Sequence, residues 1–171
     1  MKLSRRQVLS AAALVAGAGA VGVGATAWRW WDQPQGAGYA ALSAVEAAFF
    51  DAVAGAVFPA GGEPALGGAE AGVSHYVDAV LMGMHPTQRK LLRVAAHAFE
   101  NEPLLTHGGG FSTLPQPEAT AVLRGWLDSG VFEIRGIAQS FYIFATMAYL
   151  AHPQVAVHLR DAFNCGFGRV E

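Results

Sequence analysis

Six histidines, His75, His85, His97, His107, His152 and His158, are the side chains of this 171-residue sequence whose type first invites chemistry, as metal or haem ligands. Their spacing argues against it. A metal site needs three or four donors converging on one point, and a helix supplies pairs at i and i+3 or i+4. No two of the histidines are so spaced, and the best local pair, His75 with Asp78, reads as one exposed face. Ser74 and His75 adjoin, but a nucleophilic triad is defined by geometry rather than adjacency. Cys165, the only cysteine, sits in the glycine-rich tail Asn164-Cys165-Gly166-Phe167-Gly168, which reads as a helix terminus rather than a nucleophile's setting. Glu100 and Glu102 fall at the end of a helix, where solvated carboxylates are expected rather than an acid–base pair. A single cysteine also excludes an intrachain disulfide, thiolate zinc, iron–sulfur ligation and the C-x-x-C-H haem attachment. The expectation is a chain with no catalytic residue, metal ligand or cofactor contact of its own.

The elements that would position these groups are helices. Ser43-Ala44-Val45-Glu46 is a capping box, and Val45, Phe49, Val53 and Val57 follow at about four-residue spacing until Phe58-Pro59 stops the helix. A Pro-, Gly- and Ala-rich loop spans 59–69, and a second helix is predicted from Glu70 to Met84. Pro86 suits the first turn of a third, closed by Asn101 and Pro103, and Gly108-Gly109-Gly110 then forms a loop that Phe111 would fix. Pro117 opens a fourth helix closed at Ser129-Gly130, a fifth runs from Val131 to Ala151, and a short last one follows Pro153 and ends at Gly166 and Gly168. The fifth is apolar nearly all round, as in the buried centre of a bundle or a docking surface, and Arg135 and Gln139 keep it from reading as a membrane span. No alternating β-branched run of useful length occurs, so the fold class is all-α: a single bundle-like domain of five to six helices.

Ahead of this body lies a different kind of segment. Ser4-Arg5-Arg6-Gln7-Val8-Leu9 precedes an uncharged apolar run from Ser10 to Ala27, the order of a twin-arginine export signal, a route for proteins folded before export. Val8 is the one soft match. The small-x-small triplet Ala25-Thr26-Ala27 ends the run where a signal peptidase would cut, which makes 1–27 a leader, 28–40 a linker and 41–171 the folded domain. Retention as an anchor is the alternative, since roughly 20 apolar residues span a bilayer and Trp28, Trp30 and Trp31 suit a membrane interface. Four glycines in the run weaken that helix. Gly17-Ala18-Gly19-Ala20-Val21-Gly22 satisfies G-x-G-x-x-G, but no strand precedes it and no dinucleotide site is expected.

Removing the leader leaves about 140 residues, one ordinary domain. Eight Lys and Arg then face thirteen Asp and Glu, a net charge of −5 with no basic stripe, so no nucleic-acid partner is expected. Only 14% of the residues are charged and 53% are hydrophobic, a surface that suits a subunit partly covered by a partner.

The leader, Leu42 to Glu46 opening a helix that runs into Val57-Phe58-Pro59-Ala60, Gly67 to Val73 leading into Tyr76-Val77-Asp78, Phe111-Ser112-Thr113-Leu114, and Met147 to Pro153 together resemble the gluconate 2-dehydrogenase subunit 3 family. The resemblance implies a small non-catalytic subunit of a periplasmic flavoprotein dehydrogenase of the glucose–methanol–choline (GMC) type. In that family the large subunit carries FAD and the active site and lacks an export signal; the small subunit binds it and takes it through the twin-arginine translocase. A cytochrome c subunit often completes such complexes. Gluconate is only the family's label, and substrate choice would lie in the partner.

Aromatic residues on a helix that is apolar all round can serve both core and interface. Phe141, Tyr142, Phe144 and Tyr149 on the fifth helix, with Trp126 on the fourth, are therefore the candidate partner contacts. The rival readings are a free-standing periplasmic protein binding a ligand or metal in its bundle, and a membrane-tethered scaffold with an uncleaved leader.

Overall fold

A computed structural model of the chain describes Trp30 and residues 33–162. The expected twin-arginine motif, the cleavage triplet and the termination at Gly166 and Gly168 lie outside them. The described chain is helical throughout its regular structure, with no strand. None of the described helices is long and apolar enough to cross a membrane.

The first helix, α1 (Ala44–Val57), begins as its sequence dictates. The Ser43 hydroxyl accepts the Glu46 N–H at 3.3 Å, while the Glu46 carboxylate accepts the Ser43 N–H at 2.6 Å. Helices α2 (Val73–Gly83), α3 (Pro86–Asn101), α5 (Gln116–Leu127) and α6 (Phe132–Ala151) all pack against it, as do two 3₁₀ turns at Gly68–Glu70 and Phe111–Thr113. A single turn, α4 (Leu104–His107), follows Pro103, and α7 (Pro153–Ala162) packs on α6.

The buried centre is therefore α1 rather than the more apolar-looking α6. Phe49, Phe50, Val53 and Ala54 are fully enclosed, and Phe49 packs its ring against Phe50, Phe111 and Phe141 at centroid distances of 5.0 to 5.6 Å. Phe99 extends this aromatic cluster edge-on to Trp126 and Phe141. Phe111 anchors the glycine loop before it, as its isolated position in the sequence suggests.

The predicted second helix is divided. Gly72 takes a left-handed φ of +62°, which separates the Gly68–Glu70 turn from α2. The fourth and fifth helices start within a residue of their predicted positions, at Gln116 and Phe132. The loop between α1 and α2 closes on α1 through Gly68, whose N–H donates to the Phe58 carbonyl at 2.8 Å. A Cβ at Gly68 would lie 2.0 Å from the Ala54 carbonyl oxygen. Since that oxygen belongs to the central helix, it has no room to withdraw. Gly68→Ala is expected to destabilise the domain by about 3 kcal/mol through overpacking; urea unfolding that matches the wild type within error would show that the loop does not seat as described.

Candidate functional site

The six histidines scatter. His75 stacks on Tyr39 with centroids 4.8 Å apart, His85 Nδ1 accepts the Thr87 N–H at the start of α3, and His107 pairs with the neighbouring Thr106 hydroxyl. His97 is buried beside Glu46, and His152 sits at the junction of α6 and α7. Among the described residues no group of three or more His, Cys, Asp or Glu side chains could hold a metal ion. A groove of about 280 Å³ lies between α1, the Gly68–Glu70 turn and the start of α5, lined mainly by small residues including Gly55, Ala56, Ala69 and Ala119, and no histidine borders it.

The acidic side chains, by contrast, are organised, and not as the sequence suggested. Asp78, expected on an exposed face, is buried and accepts three backbone N–H groups, from Ala40 on Oδ2 and from Ala41 and Leu42 on Oδ1, each at 2.8 Å. Burial alone would raise its pKa, but these donors, aided by His75, hold it below the ordinary value. Glu46 repeats the pattern. Burial opposes its charge, yet His97, the Ser43 N–H and Arg93 together pull its pKa down. The Arg93 Nε lies 2.9 Å from both carboxylate oxygens, and His97 Nε2 lies 3.1 Å from Oε1, off the line of a good hydrogen bond.

Asp51 on α1 accepts the Ser74 N–H and hydroxyl at 2.9 Å, supplying a cap to α2, whose own N-cap residue, Gly72, has no side chain. Glu100, expected in solvent, is buried and takes the N–H and hydroxyl of Ser112, and a Cβ at Gly110 would lie 2.3 Å from its Oε1. For both Asp51 and Glu100 burial outweighs these bonds and raises the pKa. Glu102, the other carboxylate expected in solvent, is exposed and also accepts the Trp126 Nε1–H at 3.1 Å.

Residues 33–42, read as mostly linker, are bound to the body. Beyond the bonds to Asp78, the Gln33 carbonyl accepts from Arg93 Nη2 at 2.8 Å, the Gly36 N–H donates to Leu42 O, and the Tyr39 hydroxyl meets that of Ser74 at 3.0 Å.

Of the five aromatic partner-contact candidates, Phe141 is wholly enclosed, Tyr149 and Trp126 are 5% and 6% exposed, and Phe144 is half-buried against the core. These four face their own chain: inward positions of α6 recur at Phe141, Ala145 and Ala148 and leave only one stripe outward, and Trp126 of α5 packs on Phe99 and Phe111. Tyr142 alone is substantially exposed, at 41%. The outward stripe consists instead of Phe132, Gln139, Ile143, Met147 and Leu150, with Phe132 68% and Ile143 53% exposed. Eighteen residues separate its ends, so it runs for about 27 Å at 1.5 Å per residue.

Fold and surface thus define a small all-α domain whose buried polar groups fasten its own connections and whose longest helix leaves an apolar side open. The sequence profile of gluconate 2-dehydrogenase subunit 3 matches residues 44–155, about two-thirds of the chain. The chain belongs to that family, and with it to the subunits of a dehydrogenase complex. No curated protein and no solved structure matches it.

The carboxylates make acid sensitivity a readout of this arrangement. Asp78 and Glu46, with lowered folded-state pKa values, add stability that is complete above the ordinary carboxylate range and lost as pH falls through the folded values. Asp51 and Glu100, raised, act in the opposite sense, since their ionisation is easier in the unfolded chain. Asp78→Asn is expected to cost about 2–3 kcal/mol at pH 7, and its gap from wild type should narrow below about pH 4. Urea unfolding at pH 7 and pH 3 measures this, and a gap independent of pH would refute the role given to the charge.

Proposed function

We propose that this chain is the non-catalytic small subunit of an exported FAD-dependent dehydrogenase of the GMC type acting on a sugar or alcohol. It binds the flavoprotein subunit through the outward side of α6 and supplies the twin-arginine signal that takes the pair, folded, to the periplasm. FAD and the active site belong to the partner, and a cytochrome c subunit completes the complex.

The observation that carries this reading is a coincidence on one chain. A member of a dehydrogenase subunit family leaves a stripe of large apolar side chains, Phe132, Ile143, Met147 and Leu150, substantially exposed on its described surface. Isolated exposed apolar residues are ordinary, but a stripe in register along one helix is the form in which helices dock. Tyr142 at its edge adds the aromatic character enriched at interfaces.

Co-expression with the flavoprotein gene and purification from the periplasm tests both halves. A yellow complex containing this chain and a larger polypeptide is expected, and a colourless lone chain would overturn the reading. Ile143→Glu with Leu150→Glu should weaken the complex at least about tenfold, because each buried apolar anchor contributes about 2 kcal/mol. The isolated domain should stay folded, with its melting temperature lowered by no more than a few degrees, since about half of each side chain already faces water. Arg5→Lys with Arg6→Lys should leave both polypeptides in the cytoplasm; export of the flavoprotein despite that change would refute the carrier role.

A further inference from the structure

The groove between α1, the Gly68–Glu70 turn and the start of α5 lies at the C-terminal end of α1, and its electrostatics follow from how that helix stops. A helix leaves its last four carbonyls without intrahelical donors. In α1 the Phe58 N–H returns to the Ala54 carbonyl at 2.8 Å, but the next donor in that series would be residue 59, a proline with no N–H. The Gly55 carbonyl is left with the Gln116 side-chain amide at 3.4 Å, a long contact, and the Ala56 carbonyl accepts the Thr120 hydroxyl at 3.0 Å. Aligned peptide dipoles give such an end about half an elementary negative charge, and no basic side chain sits in the last turn of α1 to offset it.

The rest of the groove adds charge of the same sign. Glu70 is exposed and is the one charged side chain among the described residues that line it, and none of the ion pairs among the described residues involves Glu70. The N-terminus of α5 would oppose this field, but its first N–H groups, at Glu118 and Ala119, already bond the Pro115 carbonyl, and the Glu118 carboxylate stands in the same turn. The lining is otherwise apolar. Small residues leave about 280 Å³ open, and Phe58 and Leu114 add larger apolar surface. A cation on an aliphatic stem suits every part of this lining: the stem covers the Ala and Gly surface, and the N–H donors at its end suit the poorly paired Gly55 carbonyl and the Glu70 carboxylate.

We propose that this groove is a second docking site for the partner subunit and takes an Arg or Lys side chain from the surface of the flavoprotein. The choice of partner rests on the subunit reading above, whereas the preference for a cation rests on the groove alone. Continuity with the outward side of α6 favours that partner. Phe58 stacks on Tyr149 with centroids 3.9 Å apart, and Leu150, the next residue, ends the outward stripe. The width of one helix, roughly 10–12 Å, thus separates stripe from groove, a step that an ordinary interface of about 800 Å² per partner spans.

Two measurements separate the groove from its occupant. In the first, the full-length chain alone is titrated at low salt with the acetylated, amidated pentapeptide ALRLA and followed by amide NMR. Shifts are expected at Gly55, Ala69 and Ala119. Binding should weaken about tenfold when citrulline replaces the arginine and about three- to fivefold in Glu70→Gln, as for an exposed ion pair. Ala69→Phe fills the groove from an exposed position and should abolish the shifts with the circular dichroism unchanged. Equal binding of the arginine and citrulline peptides, or shifts confined to other surfaces, would overturn the cation site. In the second, Glu70→Lys should raise the dissociation constant of the yellow complex at least about fivefold at about 50 mM salt and approach wild type at about 1 M. A complex indifferent to Glu70→Lys while the peptide still binds the groove would overturn the flavoprotein as occupant. Failure to form any complex would overturn the subunit reading and the partner named here, and the peptide titration would still decide the cation site.

Discussion

A backbone N–H that is buried outside a helix has no carbonyl of its own element to turn to, and leaving it unpaired costs as much as losing a hydrogen bond. This fold meets that constraint with carboxylates. Asp78 takes the three amides leading into α1, Glu46 the amide of its N-cap, Asp51 an amide in the first turn of α2, and Glu100 the amide at the second 3₁₀ turn. Each acceptor lies on a helix and each donor at or near the start of an element, which for Glu46 is its own helix and for the other three is another. The bundle is consequently fastened at its connections, where short Gly- and Ala-rich segments have little apolar surface to bury. Arg93 balances the most enclosed of these charges, as a buried carboxylate requires.

The central helix makes that scheme possible. Because α1 touches α2, α3, α5 and α6, it brings Glu46 to α3 and Asp51 to α2 while its phenylalanines fill the space between. Gly68 and Gly110 lie where the chain passes too close to a carbonyl or a carboxylate for any Cβ. Polar fastening and aromatic packing are thus two aspects of one arrangement around α1.

Much of this was legible beforehand. Capping chemistry, proline placement and helical period located α1, α3, α5 and α6 to within about a residue, since those signals are local. Asp78 and Glu100 were misjudged because a partner distant in sequence decides whether an acid is solvated. A subtler signal was present: Glu46, Phe50 and Val53 share one stripe of α1, and Ser74, Asp78 and Leu81 one stripe of α2, so both acids stand in register with buried positions. An acid in such a stripe announces a donor that periodicity cannot name. Four of the five aromatic candidates turn inward for a related reason. A helix apolar on all sides shows no moment from which to choose its inward face, and only packing against α1 and α5 sets Phe141 and Tyr149 inward and Ile143 and Leu150 outward. The twin-arginine leader was read from its motif alone.

Near the end of α6 the Tyr149 ring stacks on Phe58 at 3.9 Å, and its hydroxyl donates to the Leu66 carbonyl at 2.8 Å. That one residue ties the last turns of the outward-facing helix to the exit of α1 and to the loop that follows it. A helix so braced presents a surface whose backbone is set in advance. Any protein that binds there loses less freedom on association than it would by ordering a loose helix, and more of the contact energy is left as affinity.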